Sequence, residues 1–268
     1  MQIWAHALTV LVVGTNAPRA PLDQSAITSE LSQYWRVSVV DLTTSTQDEI
    51  SQKISNSSVI NNEVVVAEFQ SSGRGRLDRT FQAPKYSALL FSFNFQPKRS
   101  QSDWGFLPLI TGMSAARALN TFVKGQTPVT LKWPNDLLIG DKKLGGIIAE
   151  VKGSSVIIGI GINVEMNEEE LPVESATSLS ISGSSNLDRN KILSKILNEI
   201  ETSLTSWDSG EIFVDRYREV SSTLGKSVRV HRPDGTVVES RAMDIDPAGG
   251  LILESGERIT VGDVIHLR

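Results

Sequence analysis

The sequence predicts an α+β fold, in which a mixed, largely antiparallel sheet with flanking helices precedes a small C-terminal β-barrel. Apolar runs between residues 129 and 164 are joined by short connections, which are typical of an antiparallel meander and too short for parallel crossovers. Helical periodicity occurs near the start, in the middle and near the end of the part of the chain that precedes the barrel. Beyond residue 224, short strand-like runs alternate with glycine-centred turns, as in a small barrel.

The individual elements follow from the spacing of apolar residues. Leu109, Met113 and Leu119, for example, fall on one helical face. Helices are predicted at residues 22–34, 47–55, 108–122, 188–207 and 211–220. Strands are predicted at 37–42, 64–69, 88–95, 129–133, 147–152 and 155–164. Turns are predicted at 141–143 and 153–155, and the acidic run 168–170 is predicted to be a solvated loop.

The sequence pattern changes to short strand-like runs with glycine-centred turns near residue 222, where we place a domain boundary. Residues 1–21 are predicted to be a loosely ordered leader, because 1–17 are mostly apolar but lack the basic residues that precede a secretory signal core. Residues 22–221 then form the predicted catalytic domain. Residues 222–268 form the predicted small barrel.

Composition excludes several classes of protein. The chain has 268 residues, 40% of them hydrophobic and 21% charged, which is ordinary for a globular protein. No apolar run reaches the ~18 residues that span a bilayer, so we expect no membrane partner. The absence of cysteine excludes disulfides and thiolate chemistry and is compatible with the cytoplasmic location that we expect. The three histidines are too far apart for a common zinc motif, and a net charge of -5 disfavours a protein that coats nucleic acid.

The most informative segment is residues 70–81, QSSGRGRLDRTF, which lies between two strand-like runs and therefore reads as a loop tethered to a sheet. Gly73 and Gly75 alternate with Arg74 and Arg76. Glycine allows the backbone to approach a ligand, and guanidinium groups bind phosphate or carboxylate in two-point fashion. The segment is predicted to cover an anion; a flexible RNA-binding repeat is the alternative.

Two further segments accompany this loop. In residues 131–136, LKWPND, Pro134 cannot donate to a sheet ladder, which predicts a strand broken in mid-sheet around a bound group. Lys143 follows, beside Gly145 and Gly146, and suits an oxygen whose charge changes during a reaction. Residues 159–164, GIGINV, lack the third glycine of a dinucleotide-binding fingerprint. Taken singly, the lysines also fit surface positions, the glycines fit strand bulges, and Trp133 fits a core aromatic.

Taken in order, these motifs resemble the biotin–protein ligase family. The resemblance rests on residues 45–46 (ST), 70–76 (QSSGRGR), 132–136 (KWPND), 143–147 (KLGGI) and 159–164 (GIGINV), and it runs from about residue 22 to the end. It implies a catalytic domain like that of class II synthetases, with an SH3-like C-terminal barrel. It also implies a reaction in which biotin and ATP give biotinyl-5′-AMP, from which biotin passes to a lysine of a biotin carboxyl carrier protein.

The same resemblance assigns roles to residues. Lys143, Arg76 and Arg74 are expected to be catalytic through their positive charge. Biotin contacts are expected at Ser45, Thr46, Gln47, Gln70, Gly73, Arg74, Gly75, Arg76, Lys143, Gly145 and Gly159. Nucleotide contacts are expected at Arg76, Arg79, Phe81, Lys132, Trp133, Asn135 and Asn163, with Asp136 and Asn135 helping to hold Mg²⁺ beside the phosphates.

Two residues depart from the family pattern. Gln47 stands where Asn is usual after Ser-Thr, and the longer amide is expected to shift the contact with the ureido ring of biotin. Phe81 replaces a tryptophan that stacks on adenine, and its smaller π-face predicts weaker nucleotide binding. About 35 residues precede the first motif strand, too few for a helix-turn-helix module, so we expect a ligase without DNA binding.

Three alternatives remain open at this point. A lipoate–protein ligase shares the fold and the acyl-adenylate chemistry, a nucleic-acid-binding protein shares the arginine loop, and an inactive biotin sensor shares the pocket. The expected partner is the biotin carrier domain of a carboxylase. Both a monomer and a homodimer are compatible with the sequence.

Overall fold

The computed structural model describes residues 18–56, 61–76, 79–123 and 127–267. The predicted leader falls outside the described residues as far as residue 17. Among the helices that are described, none is long and apolar enough to cross a membrane.

The main body is a seven-stranded sheet with the strand order β1-β2-β3-β7-β6-β5-β4. Its strands are β1 (Arg36–Val40), β2 (Glu63–Ala67), β3 (Ala88–Phe95), β4 (Val129–Lys132), β5 (Asp136–Ile139), β6 (Lys142–Lys152) and β7 (Ser155–Asn163). β1 runs parallel to β2, and every other neighbouring pair is antiparallel. The predicted mixed, largely antiparallel sheet is therefore confirmed.

The helices cover both faces of this sheet. They are α1 (Gln24–Ser29), α2 (Thr46–Ser55), α3 (Leu107–Leu119), α4 (Arg189–Asp208) and α5 (Val214–Val220). The main core lies on the face under α3 and α4, whose apolar residues meet the inward side chains of β2, β3 and β7. On the opposite face, Ile50 of α2 packs against Val65 and Ile157. That second face is covered over a smaller area, which leaves room beside α2.

Helix α1 is shorter than predicted. Asp23 caps its first turn by accepting from the backbone N–H groups of Ser25 and Ala26, and the helix ends after Ser29. The chain then turns so that Trp35 enters the core, where its indole N–H donates to the carbonyl of Leu197 at 3.0 Å. Burial of this large aromatic side chain favours the turn over continuation of the helix, and Leu31 and Tyr34 of the turn also pack against the core.

The segment around Pro134 corrects a prediction. Residues 133–135 form the turn of a hairpin that joins β4 to β5, with Lys132 paired to Asp136, and the strand is not broken in mid-sheet. The Trp133–Pro134 peptide bond is cis. The prediction also missed β5 and the start of β6, whose preceding turn lies at Gly140 and Asp141. The reason given for the prediction is nevertheless correct. Pro134 lacks the backbone N–H that a continuing strand ladder needs, and β4 therefore ends before it.

The C-terminal residues form a separate five-stranded antiparallel sheet with the order β11-β10-β9-β8-β12. Its strands are β8 (Ser227–His231), β9 (Val237–Ile245), β10 (Leu251–Leu253), β11 (Arg258–Ile259) and β12 (Asp263–His266). Trp133 joins the two sheets, since its buried indole N–H donates to the carbonyl of Gly249 at 3.0 Å. The boundary at residue 222 stays a prediction.

The acidic run at Glu168–Glu170 forms a short exposed 3₁₀ turn, in which Asn167 and Glu170 cap each other. Glu170 also accepts from the guanidinium of Arg19 at 3.0 Å, so it fastens the first described residues to this turn.

A buried ion pair fixes the end of β2. Glu68 and Arg189 meet at 2.7 Å, and their side chains are 3% and 2% exposed. Arg189 also donates to the carbonyls of Ala88 and Ala20, while Glu68 accepts from the N–H of Leu22. Both charges are thus surrounded by hydrogen bonds, which compensates for their removal from water.

We predict that Arg189→Met lowers the free energy of unfolding by about 3–5 kcal/mol, because it leaves the Glu68 carboxylate buried without a counter-charge. Urea denaturation at neutral pH measures this loss. The matched control is Arg229→Met, which removes an exposed pair with Glu239 and is expected to cost less than about 1 kcal/mol. Equal losses in the two variants would contradict the assigned role of the buried pair.

Candidate active site

A cavity of about 550 Å³ lies on the α2 side of the large sheet. Its walls come from α2, the described residues of the arginine loop (70–76 and 79–81), the strands β3, β6 and β7, the turn 133–135 and one edge of the C-terminal sheet. Fifteen of the predicted site residues line it: Ser45, Thr46, Gln47, Gln70, Arg74, Gly75, Arg76, Arg79, Phe81, Lys132, Trp133, Asn135, Asp136, Lys143 and Gly159. Segments that are distant in sequence therefore converge on one space.

Glycines of β7 create the floor of the cavity. A Cβ atom on Gly159 would lie 2.7 Å from Oε1 of Gln47, and one on Gly161 would lie 2.7 Å from the ring of Phe81. Real Cβ contacts essentially never come this close, so neither position accommodates a side chain without displacing its neighbour. The Phe81 ring consequently rests on the bare backbone of β7.

One end of the cavity is lined by uncharged polar groups. Ser45 caps α2, where its oxygen accepts from the N–H of Asp48 at 3.4 Å. Thr46 donates its backbone N–H to Oε1 of Gln70 at 2.8 Å, and its hydroxyl lies 2.8 Å from that of Ser92. Sequence reasoning missed Ser92. A serine in the middle of an otherwise apolar strand, ALLFSFNF, is the signal that points to it.

The arginine loop is held in a narrow hairpin. The N–H of Gly75 donates to the carbonyl of Arg79 at 2.7 Å, and the N–H of Phe81 donates to the carbonyl of Gly73 at 2.9 Å. A Cβ atom on Gly73 would lie 2.3 Å from the Phe81 carbonyl oxygen, so the close crossing of the two strands requires glycine there. The hairpin holds Arg76 over the cavity.

The two central arginines have different surroundings. Arg76 donates to Oδ1 of Asn135 at 3.1 Å and to the carbonyl of Gly262 at 3.2 Å, and its burial lowers the pKa of the guanidinium. Arg74 reaches Asp48 at 2.8 Å and Glu150 at 3.1 Å, with 44% of its side chain exposed. Arg76 therefore faces the interior of the cavity, whereas Arg74 fastens the loop to α2 and β6.

The opposite end of the cavity is cationic. Lys143 lies 2.6 Å from Oδ1 of Asp136, and Lys132 and Arg79 line the same region. Burial lowers the pKa of Lys132; attraction to Asp136 opposes the shift, and repulsion from Lys143 and Arg79 adds to it. The positive charges are crowded enough to disfavour one another, so the region favours an anionic ligand that relieves the repulsion.

The C-terminal sheet completes this end. His231, Asp263, Val264 and Ile265 line the cavity, and Asp263 forms an ion pair with Arg79 and lies 3.7 Å from Arg76. Sequence reasoning assigned none of these residues to the site. They belong to the other end of the chain from the arginine loop, and the pattern within a strand does not reveal such a contact.

Three predicted residues lie outside the cavity lining. Gly73 and Gly145 instead permit close backbone crossings, since a Cβ atom on Gly145 would lie 2.4 Å from the carbonyl oxygen of Gly161. Asn163 is buried and donates to the carbonyl of Thr177 at 2.9 Å, so its side chain holds the segment after β7. These three residues therefore support the backbone around the cavity and do not line it.

Comparisons with known proteins bear on this arrangement. The model of the biotin/lipoate A/B protein ligase family matches residues 39–167, and the model of the biotin protein ligase C-terminal domain matches residues 223–267. A biotin–[acetyl-CoA-carboxylase] ligase from Mycobacterium tuberculosis is 35% identical over 264 residues, covering 93% of this chain and 97% of that protein. The chain belongs to the biotin–protein ligase family.

Other relatives agree with this assignment. The biotin protein ligase from Aquifex aeolicus, solved in complex with biotin and ATP, superposes with a TM-score of 0.74 at 29% identity, over 87% of this chain and 99% of that one. The bifunctional ligase/repressor BirA of Escherichia coli is 28% identical over 76% of this chain and 65% of its own length. The prediction that these motifs are those of a biotin–protein ligase is thus confirmed, and it is favoured over the lipoate–protein ligase alternative.

A histidine network links this enzyme's two sheets beside the cavity. The hydroxyl of Thr223 accepts from the backbone N–H of Trp133 at 3.0 Å and lies 3.0 Å from Nε2 of His266. Burial lowers the pKa of His266 to about 4, with repulsion from Lys226 and Lys132 adding to the effect and Asp141 opposing it. The imidazole is therefore neutral in the folded protein at pH 7.

This network predicts a pH dependence of stability. The unfolded chain binds a proton at His266 with a pKa near 6.5, whereas the folded chain does so only near 4. The contribution of neutral His266 is complete above pH 6.5 and is lost as the pH falls toward 4. Because the ring is only half buried, solvent screening limits the change to on the order of 2 kcal/mol. Urea denaturation at pH 7 and 4.5 should therefore show a smaller acid loss for His266→Gln than for the native enzyme. An NMR titration midpoint of His266 near its unfolded value would contradict the prediction.

Proposed function

We propose that this enzyme activates biotin with ATP to form biotinyl-5′-AMP and then transfers biotin to a lysine of a biotin carboxyl carrier protein. One observation carries the proposal in this chain: Arg76 and Lys143 line the same cavity as the polar groups of Ser45, Thr46 and Gln70. A cationic end and a neutral hydrogen-bonding end fit a ligand with an anionic tail and an uncharged polar head. Biotin has this division between its carboxylate and its ureido ring.

In the first step, a carboxylate oxygen of biotin attacks the α-phosphorus of ATP while the bond to the β-phosphate oxygen breaks, and pyrophosphate leaves. Two anions must approach each other, so positioning and positive charge dominate the catalysis. Lys143 stands at the carboxylate and α-phosphate, and Arg76 neutralises the same region from the loop above. Arg74 holds that loop through Asp48 and Glu150.

In the second step, the neutral amine of the carrier lysine attacks the acyl carbon of the mixed anhydride. The acyl–oxygen bond to AMP breaks, AMP leaves with the electron pair, and the amine loses a proton to complete the amide. No covalent enzyme intermediate is required. The arginine loop limits the access of water to the anhydride between the two steps.

The nucleotide is proposed to lie between the arginine loop and the turn 133–135. Its phosphates are contacted by Arg79, Lys132 and Asn135. Its adenine stacks on the ring of Phe81. The indole of Trp133 is buried and bonded to Gly249, so it supports this wall from behind.

A magnesium ion with the phosphates fits the residues present. The described residues contain no group of three or more His, Asp or Glu positioned to hold a metal ion. Mg²⁺ is commonly held by one or two carboxylates together with substrate phosphates and water, and Asp136 supplies one carboxylate at the cationic end of the cavity. Asp136 with Asn135 would hold the ion, which would neutralise phosphate charge as pyrophosphate leaves.

The proposed protein partner is the carrier domain of a biotin-dependent carboxylase. The name of the relative from Mycobacterium tuberculosis supports this choice, since it specifies acetyl-CoA carboxylase. The proposal places the enzyme in the cytoplasm, as a monomer or homodimer. It also retains residues 22–221 as the catalytic domain and 222–268 as the small C-terminal domain.

We predict that Lys143→Ala lowers the rate of biotinyl-adenylate formation by about 100-fold or more, because it removes a positive charge from the reacting phosphate. Biotin-dependent release of pyrophosphate measures the first step, and carrier-dependent release of AMP measures the second. Lys142→Ala is the matched control, since Lys142 is an exposed neighbour outside the cavity lining. Retention of more than about a tenth of the activity in Lys143→Ala would argue against the proposed role.

We also predict that Asp263→Asn lowers the KM for ATP by about 3-fold, because the carboxylate that now pairs with Arg76 and Arg79 repels the incoming phosphates. Initial rates at saturating biotin provide the measurement. Asp234→Asn, on an exposed turn of the C-terminal sheet, serves as the control. A higher KM in Asp263→Asn would instead mean that the carboxylate orients the arginines productively.

A further inference from the structure

Residues 221–226, here called the linker, join α5 to β8 and begin beside the edge strand β4 of the large sheet. Ser221 forms a parallel bridge with Leu131. Ser222 donates both its backbone N–H and its hydroxyl to the carbonyl of Leu131, at 2.7 Å and 2.9 Å. The start of the linker is therefore fixed in register against the strand that leads into the turn 133–135.

The next residue of the linker, Thr223, holds the first residue of that turn. The backbone N–H of Trp133 donates to the hydroxyl of Thr223 at 3.0 Å. Trp133 is 1% exposed and Thr223 is 0% exposed, so water has no ready access to replace a missing acceptor. A buried N–H without an acceptor is costly, and the hydroxyl therefore fixes the position of Trp133 relative to the linker.

A second hydrogen bond holds Trp133 from the C-terminal sheet, since its indole N–H donates to the carbonyl of Gly249. The turn that carries Gly249 is itself fixed, because a carboxylate oxygen of Asp246 accepts from the backbone N–H of Ala248 at 2.8 Å. A Cβ atom on Gly105 would lie 2.5 Å from the carbonyl oxygen of Ala248, so this turn packs backbone against backbone on the segment before α3. Trp133 is thus held at two points by parts of the chain that follow the large sheet.

The turn 133–135 transmits these restraints to the cationic end of the cavity. Asn135, two residues after Trp133, accepts from the guanidinium of Arg76 at 3.1 Å. Asp136 follows and lies 2.6 Å from Lys143. The groups at the cationic end therefore lie close in sequence to the residue that the linker holds, whereas the neutral end is built from α2 and the arginine loop.

We infer that Thr223 is a positioning residue for the nucleotide, which acts through the backbone N–H of Trp133 and sets the place of the turn 133–135 in the cavity. This inference rests on the proposed function, in which the turn contacts the phosphates of ATP. In Thr223→Val, a methyl group takes the place of the hydroxyl. A methyl carbon needs about 3.5 Å or more to its neighbour, so the 3.0 Å contact is lost. Because Ser222 anchors the linker to Leu131, the displacement falls on the turn.

The test separates binding of the nucleotide from binding of biotin. Calorimetry measures the affinity for biotin and, at saturating biotin, the affinity for α,β-methylene-ATP, in which a methylene group replaces the oxygen that would leave with pyrophosphate. We expect Thr223→Val to bind this analogue about 10-fold more weakly and to bind biotin within about 2-fold of the native affinity. Thr223→Ser retains the hydroxyl, so it is expected to bind both ligands with native affinity.

The matched control is Thr111→Val, which removes another buried threonine hydroxyl, one that donates to the carbonyl of Leu107 within α3 and lies outside the cavity lining. It is expected to change neither affinity. A general loss of stability lowers both affinities together, so a selective loss of nucleotide binding separates positioning from a merely structural role.

Trp133→Phe provides a second variant, which keeps Thr223 and removes the hydrogen bond to Gly249. It is expected to weaken binding of the analogue in the same direction, and it decides the matter if Thr223→Val does not fold. An unchanged affinity for the analogue, or equal losses for the analogue and biotin, would overturn the inference. Absence of biotin-dependent pyrophosphate release in the native enzyme would instead overturn the proposed function, and the affinities for the analogue would still decide the role of Thr223.

Discussion

The site exists because two residues of β7 have no side chains. Gly159 and Gly161 alternate along β7 with Ile158, Ile160 and Ile162, whose side chains enter the main core on the opposite face of the sheet. A Cβ atom at either position would collide with Gln47 or with the ring of Phe81. The same face that packs against α2 at Ile157 thus opens into a cavity a few residues later, and every functional group is arranged around that opening.

Around this opening, polarity is divided between two ends that obey different physical rules. At the neutral end the groups are uncharged and hydrogen-bonded to one another, so a ligand is distinguished by its own hydrogen-bonding groups. At the cationic end the charges are crowded and partly exposed, so a ligand is attracted by its net negative charge whatever its shape. A molecule that spans both ends is recognised by its shape and hydrogen bonding at one end and by its charge at the other. An enzyme needs this division if it joins the acid tail of an uncharged ring system to the α-phosphate of a nucleoside triphosphate and releases pyrophosphate.

The large sheet and the C-terminal sheet depend on each other at the cationic end. Trp133 donates hydrogen bonds to Thr223 and Gly249, and Asp263 of the C-terminal sheet pairs with arginines of the loop. Asp263 and its neighbours supply part of the cavity wall, so the small domain is a component of the site and not an appendage. Loop and domain are therefore expected to respond together when phosphates enter.

The sequence alone was sufficient for the chemistry and for most of the elements. Residue types and spacing pointed to Arg76 and Lys143, the resemblance to the family pointed to Gln70, and all three line one cavity; the helices and strands follow from periodicity. It was insufficient for Ser92, Asp263 and the hairpin turn at Pro134. Ser92 looks like a minor irregularity in an apolar strand, Asp263 acts on a loop that is remote from it in sequence, and the proline that ends a strand does not say where the chain goes next. The tertiary structure decided these because pairing of strands, and not local propensity, determines which side chains share a cavity.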